Sequence, residues 1–105
     1  MNIVWSARAN KEWKSVALYI YTEFGKKAAA NYLEQTKYWE RKLMSFPECG
    51  APEPLLADKK IMYRSLIISK HSKMIYYIKD DIVRISDIWD MRRNPQVLVK
   101  RIHTK

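Results

Sequence analysis

The hydrophobic pattern of this chain changes period once, and that change fixes its class. Trp13, Val16, Ala17, Ile20 and Phe24 recur every three or four positions, and so do Ala29, Tyr32, Leu33, Thr36, Trp39, Leu43 and Phe46. Each set forms one stripe of an amphipathic helix. From residue 60 onward the chain is rich in Ile, Tyr, Val and Trp in short runs, and 60–70, 73–79 and 82–90 read as three strands. A first short strand, Asn2–Trp5, precedes Ser6, a good helix N-cap. Gly25 separates the two helical runs, and Pro47 stops the second. The expected order is β-α-α-β-β-β: an α+β fold with a small, mostly antiparallel sheet and a helix pair on one face.

Three punctuation marks set the finer expectations. Residues 47–58 carry Cys49-Gly50, Pro52 and Pro54 and read as a crossover loop. Asp80-Asp81 is a two-residue hairpin turn, which places Tyr76 opposite Ile85 and Ile78 opposite Val83. A turn at His71-Ser72 would place Ile68 opposite Ile75 and Leu66 opposite Tyr77. Tyr63, Ile67, Met74, Tyr76, Ile78, Val83 and Ile85 then face the helices. Arg64, Leu66, Ile68, Lys70, Lys73, Ile75, Tyr77, Lys79, Arg84 and Ile88 form an open face of cations and apolar groups. Asn94-Pro95 begins a short C-terminal helical turn, and a basic tail runs from Lys100 to Lys105.

At 105 residues the chain is expected to be one domain spanning 1–105. Its net charge of +9 is lopsided: residues 59–105 hold twelve Lys/Arg against four Asp/Glu, and residues 1–58 are nearly neutral. Such a bias points to an anionic partner. The single cysteine, Cys49, cannot close an internal disulfide, and no apolar run nears the roughly 18 residues of a membrane span. No apolar leader follows the N-terminus, so a reducing cytoplasm is the expected location, without membrane contact. Metal-ligand spacing and a glycine-rich phosphate loop are both missing, so neither metal nor cofactor is expected. Chemistry, if any, would rest on Arg, Lys and Tyr. The adjacent Arg92 and Arg93, between Trp89-Asp90 and Asn94-Pro95, are poised for an anion unless Asp90 pairs with one of them. Trp89 belongs in the core.

Tyr63-Arg64-Ser-Leu, Met74-Ile-Tyr76-Tyr77, Asp80-Asp81-Ile-Val-Arg-Ile85 and Trp89-Asp-Met-Arg92-Arg93-Asn-Pro95 resemble the RelE/ParE superfamily of type II toxin–antitoxin toxins. Trp5-Ser6-x-x-Ala9, Tyr21-x-x-Phe24-Gly25 and Phe46-Pro47-x-x-Gly50 agree, so the resemblance covers about residues 3–98. It implies the same β-α-α-β-β-β fold, a plasmid-stabilising toxin and a cognate antitoxin in a hetero-oligomer. ParE-like members inhibit DNA gyrase by binding it. RelE-like members instead cut mRNA on the ribosome. On the nuclease pattern Arg64, Lys73, Tyr77 and Arg93 would act at the scissile phosphate. Leu66 stands where those enzymes often carry a basic residue, and no Tyr follows Tyr77. The Arg92-Arg93-Asn94-Pro95 end and Arg64 are more ParE-like, which makes a non-enzymatic toxin the leading expectation. Target contacts would then come from Arg64, Lys73, Arg84, Arg92 and Arg93, and antitoxin contacts from Leu18, Tyr19, Tyr38, Leu66, Ile68 and Ile75.

Overall fold

A computed structural model of the chain describes residues 1–102. The order is β1 (Asn2–Trp5), α1 (Ala7–Phe24), α2 (Lys26–Ser45), β2 (Ala51–Pro52), a 3-10 turn (Pro54–Leu56), β3 (Arg64–Ser69), β4 (Ser72–Lys79), β5 (Ile82–Asp90) and α3 (Pro95–Arg101). The strands form one sheet in the order β1-β5-β4-β3-β2, with β1 parallel to β5 and the other neighbours antiparallel. The expected class and order are therefore observed, with a two-residue strand and a 3-10 turn inside the presumed loop.

Local chemistry explains the element boundaries. Ser6 caps α1 by accepting a hydrogen bond from the Ala9 N–H at 3.0 Å. Gly25 sits at φ 94, a conformation that suits glycine, and joins α1 to α2 without an intervening loop. Asp80 and Asp81 both have positive φ, 55 and 58, as a type I′ hairpin turn requires. The β4–β5 register follows, with Tyr76 opposite Ile85 and Ile78 opposite Val83.

The helix pair packs on one face, over Leu66, Ile68, Met74, Tyr76, Val83, Ile85 and Ile88. Trp13 stacks on Tyr32 with centroids 5.4 Å apart and donates its indole N–H to the Thr36 hydroxyl at 2.8 Å. The Tyr32 hydroxyl is buried against Ser72, 2.8 Å away, and burial pushes its pKa up to about 12. α1 and α2 are thus tied to each other and to the sheet.

The β3–β4 register corrects the sequence expectation. The turn is Lys70-His71, with Ser69 opposite Ser72, and a bulge at Ile68 brings Leu66 opposite Met74. Because side chains alternate along a strand, this odd slip exchanges faces. Arg64, Leu66 and Ile68 lie on the helix side, and Tyr63 and Ile67 do not. A second bulge leaves Ser86 unpaired in β5 and returns Ile88 to the helix side as well.

Nor is the second face open. Leu56, Tyr63, Ile75, Trp89, Leu98 and Ile102 make a second apolar cluster there, bringing together the 3-10 segment, the sheet and α3. The C-terminal turn is therefore a cover over the sheet. Lys100 and Arg101 end its helix instead of starting a free tail, and 103–105 lie outside the described residues. No helix among the described residues is long and apolar enough to cross a membrane.

Candidate functional site

The five cations expected to form one target surface do not converge. Arg64 points along the helix face and donates to the Gly50 carbonyl at 2.8 Å. The buried Tyr76 hydroxyl beside it accepts from the Gly50 N–H at 2.9 Å and donates to the Pro47 carbonyl at 2.8 Å. Arg64 and Tyr76 thus hold the 47–50 loop against the sheet. Lys73 lies on the opposite face, ion-paired with Glu53. Glu53 is 2% exposed and also accepts from the Leu55 N–H, so this pair fastens the 3-10 turn to β4.

Tyr77 is half-buried, edge-on to Tyr63 with centroids 5.5 Å apart. Arg84 is opposite Tyr77 on the same face and also half-buried. Its Nε finds no hydrogen-bond partner among the described residues. Arg93 reaches Glu12 of α1 at 3.4 Å and lies over Trp89. Arg101 donates to Asp87 at 3.0 Å and lies 3.2 Å from Glu12. Asp87 is fully buried, and desolvation, only partly opposed by Arg101, raises its pKa to about 6. Much of the positive charge is accordingly met by the chain's own acids.

Arg92 too is met by an acid, because Asp90 pairs with it, the alternative that the sequence left open for one of the two arginines. Its side chain is 51% exposed, with Nε donating to Asp90 Oδ1 at 3.0 Å and Nη2 to Oδ2 at 2.6 Å. The same guanidinium lies over the Tyr19 ring, 3.7 Å from its centroid. The Arg92 hydrogen bond is also the main reason that the Asp90 carboxyl titrates below its ordinary value. The result is an exposed cation locked in one orientation by a carboxylate and an aromatic face.

The expected antitoxin contacts divide in two. Leu18 and Tyr38 are exposed, and Tyr19 is half-exposed. Leu66, Ile68 and Ile75 are buried, the first two under the helices and the third under the α3 side. Leu66 and Ile68 were expected outside because the bulge at Ile68 exchanges the faces of β3, and Ile75 lies on the expected face but is covered by the second apolar cluster. Sequence reasoning also missed Glu53, Glu12, Phe24 and His71 as neighbours of the named cations. Only Glu53 had a local signal, an acid just before a proline that can start a helical turn.

A model of the ParE toxin of type II toxin–antitoxin systems matches residues 3–95. Among solved structures, the chain is similar to one of a chromosomal ParDE toxin–antitoxin system from P. aeruginosa, with a TM-score of 0.69 at 15% identity, covering 86% of this chain and 95% of that one. A YoeB/ParE toxin from Agrobacterium tumefaciens gives 0.59 at 19% identity, covering 86% and 98%. A chain of the E. coli DinJ–YafQ complex gives 0.52 at 18% identity, covering 87% and 93%. No curated protein sequence matches at a significant level.

Proposed function

The chain belongs to the ParE toxin family of type II toxin–antitoxin systems, and from that premise we propose that it acts by binding DNA gyrase, without chemistry of its own. A cognate antitoxin in the cytoplasm neutralises it. The observation that carries this reading is Arg92, an exposed target-contact candidate whose guanidinium is fixed by two hydrogen bonds to Asp90 and by the Tyr19 ring. Recognition by a pre-organised guanidinium needs no acid or base and suits a binding inhibitor.

The nuclease alternative asks Arg64, Lys73, Tyr77 and Arg93 to meet at one phosphate. Arg64 and Lys73 are on opposite faces, and Lys73 and Arg93 already face Glu53 and Glu12. Those placements favour the binding reading. Purified toxin should block supercoiling by gyrase, and Arg92→Ala with Arg93→Ala should weaken the block. Unaffected supercoiling at saturating toxin would remove the proposal. Codon-specific cuts in a toeprint on translating ribosomes would favour the nuclease.

A further inference from the structure

At the end of the sheet where β3 turns into β4, three aromatic rings from two elements meet. Tyr19 and Phe24 of α1 lie 6.1 Å apart between centroids, and His71 of the turn is 6.0 Å from the first and 5.5 Å from the second. Two cations rest on these rings. Lys70 Nζ is 5.5 Å from the Phe24 centroid, and Arg92 is the cation over Tyr19. Aromatic faces hold a cation without cancelling its charge. Asp90 is the acid bonded here, and its carboxylate accepts from the Arg92 backbone N–H, Nε and Nη2. His71 is biased toward its neutral form by burial, then by Lys70 and Arg92, with Asp90 opposing.

Beside this cluster a cavity of about 400 Å³ opens between α1, α2 and the turn. Ile20, Phe24 and Ala28 give it apolar walls, and Asn31, Gln35 and Lys70 give it polar ones. No carboxylate lines it. A volume of this kind is typical of a ligand pocket, about 300–1,000 Å³. The site therefore combines room for an apolar side chain with cations beside it and amides that can pair with a peptide backbone.

We infer that this cavity and its cationic rim are a docking site for an acidic segment of the antitoxin, which seats one large apolar side chain against Phe24 and Ala28 and sets its carboxylates on Lys70 and Arg92. The partner's identity rests on family membership, whereas the site rests on geometry and charge complementarity. Arg92 then serves two masters: an antitoxin seated here covers the same guanidinium proposed to meet gyrase. Neutralisation follows from direct competition for one side chain.

The test uses the full chain, isotopically labelled for NMR, and a capped Glu-Glu-Leu-Glu-Glu peptide as probe. Shifts should concentrate at Phe24, Gln35, Lys70 and His71. Replacing the peptide's Leu by Ser, or its Glu residues by Gln, should weaken binding. The paired change Lys70→Glu with Arg92→Glu should weaken it by about tenfold or more. Asn31→Trp, at an exposed position on the cavity wall, should remove the preference for Leu while leaving salt-sensitive attraction. Shifts spread over the opposite face around Lys79 and Arg84, or binding unchanged in both variants, would overturn the site. Tighter occupation of the same residues by a single-stranded oligonucleotide would overturn the choice of an acidic peptide. Supercoiling assays are run without the peptide, so failure of the gyrase reading is seen separately.

Discussion

Arg92 sits over the Tyr19 ring, its guanidinium carbon 3.7 Å from the centroid, although the two residues belong to different expected surfaces. α1 supplies the ring, the chain leaving β5 supplies the cation, and Asp90 fixes the angle between them. Arg92→Ala should change unfolding stability by no more than about 1 kcal/mol, the scale of an exposed pair. It should nevertheless relieve growth arrest on induced expression. Tyr19→Leu should give a partial loss of toxicity by freeing the guanidinium. Colony counts alongside urea unfolding separate the two effects, and a loss of toxicity that merely follows lost stability would count against a contact role.

Lys73 answers to Glu53, so its charge has a structural duty. Glu53→Ala should cost about 3 kcal/mol, because it leaves a partly buried ammonium unpaired and removes the acceptor for Leu55. The double replacement Glu53→Leu with Lys73→Met should recover most of that loss, measured by urea midpoints. Retained growth arrest in the double variant is the outcome expected of a binding toxin. Its disappearance in a stably folded double variant would return Lys73 to the target surface.

Gly50 is where the loop meets the sheet most closely. A Cβ added there would stand 2.6 Å from the Tyr76 hydroxyl oxygen and 2.8 Å from the Ser65 carbonyl oxygen. The backbone oxygen cannot swing aside, so Gly50→Ala should cost about 1–3 kcal/mol by overpacking. The thermal midpoint reads this directly, and an unchanged midpoint would mean that the loop is not pressed against β3.

Asp87 sets a pH dependence of definite sign. Its folded pKa of about 6 is above the ordinary 3.8, so the folded state holds the proton more tightly than the unfolded one. Its contribution therefore improves as pH falls through about 6 and levels off below the ordinary carboxylate value. Other groups titrate in the same window, with His71 acting in the opposite sense. Comparison with Asp87→Asn isolates the carboxyl. The stability of the native chain relative to that variant should rise between pH 7 and about pH 4.5. A difference independent of pH would show that Asp87 titrates normally.

Local signals carried the fold far. Ser6 before a helical stripe, Gly25 between two stripes, paired aspartates in a hairpin and Asn94 before Pro95 each act within a few residues. Each appears as expected: a cap, a hinge at positive φ, a type I′ turn and a capped short helix. The period change across the 47–58 loop was equally legible, because it reflects which residues can share a face. Much of the candidate site was not. A bulge at Ile68 exchanged the faces of β3, and nothing in the neighbouring residues marks it, since bulged and regular strands have the same apolar composition.

What the sequence determined by itself is the class of the molecule, its element order and its excess of positive charge, because these depend on backbone preferences and on composition. What only the tertiary structure decided is which charges remain available. Glu53, Glu12 and Asp87 lie far along the chain from the cations they meet at Lys73, Arg93 and Arg101. Pairing of that kind depends on strand register and on how α3 folds back over the sheet. Lys70 stays available for the complementary reason, that it rests on the Phe24 ring, which can hold a cation but cannot neutralise it, whereas Arg92 is paired locally with Asp90 and stays accessible because half of its side chain faces solvent.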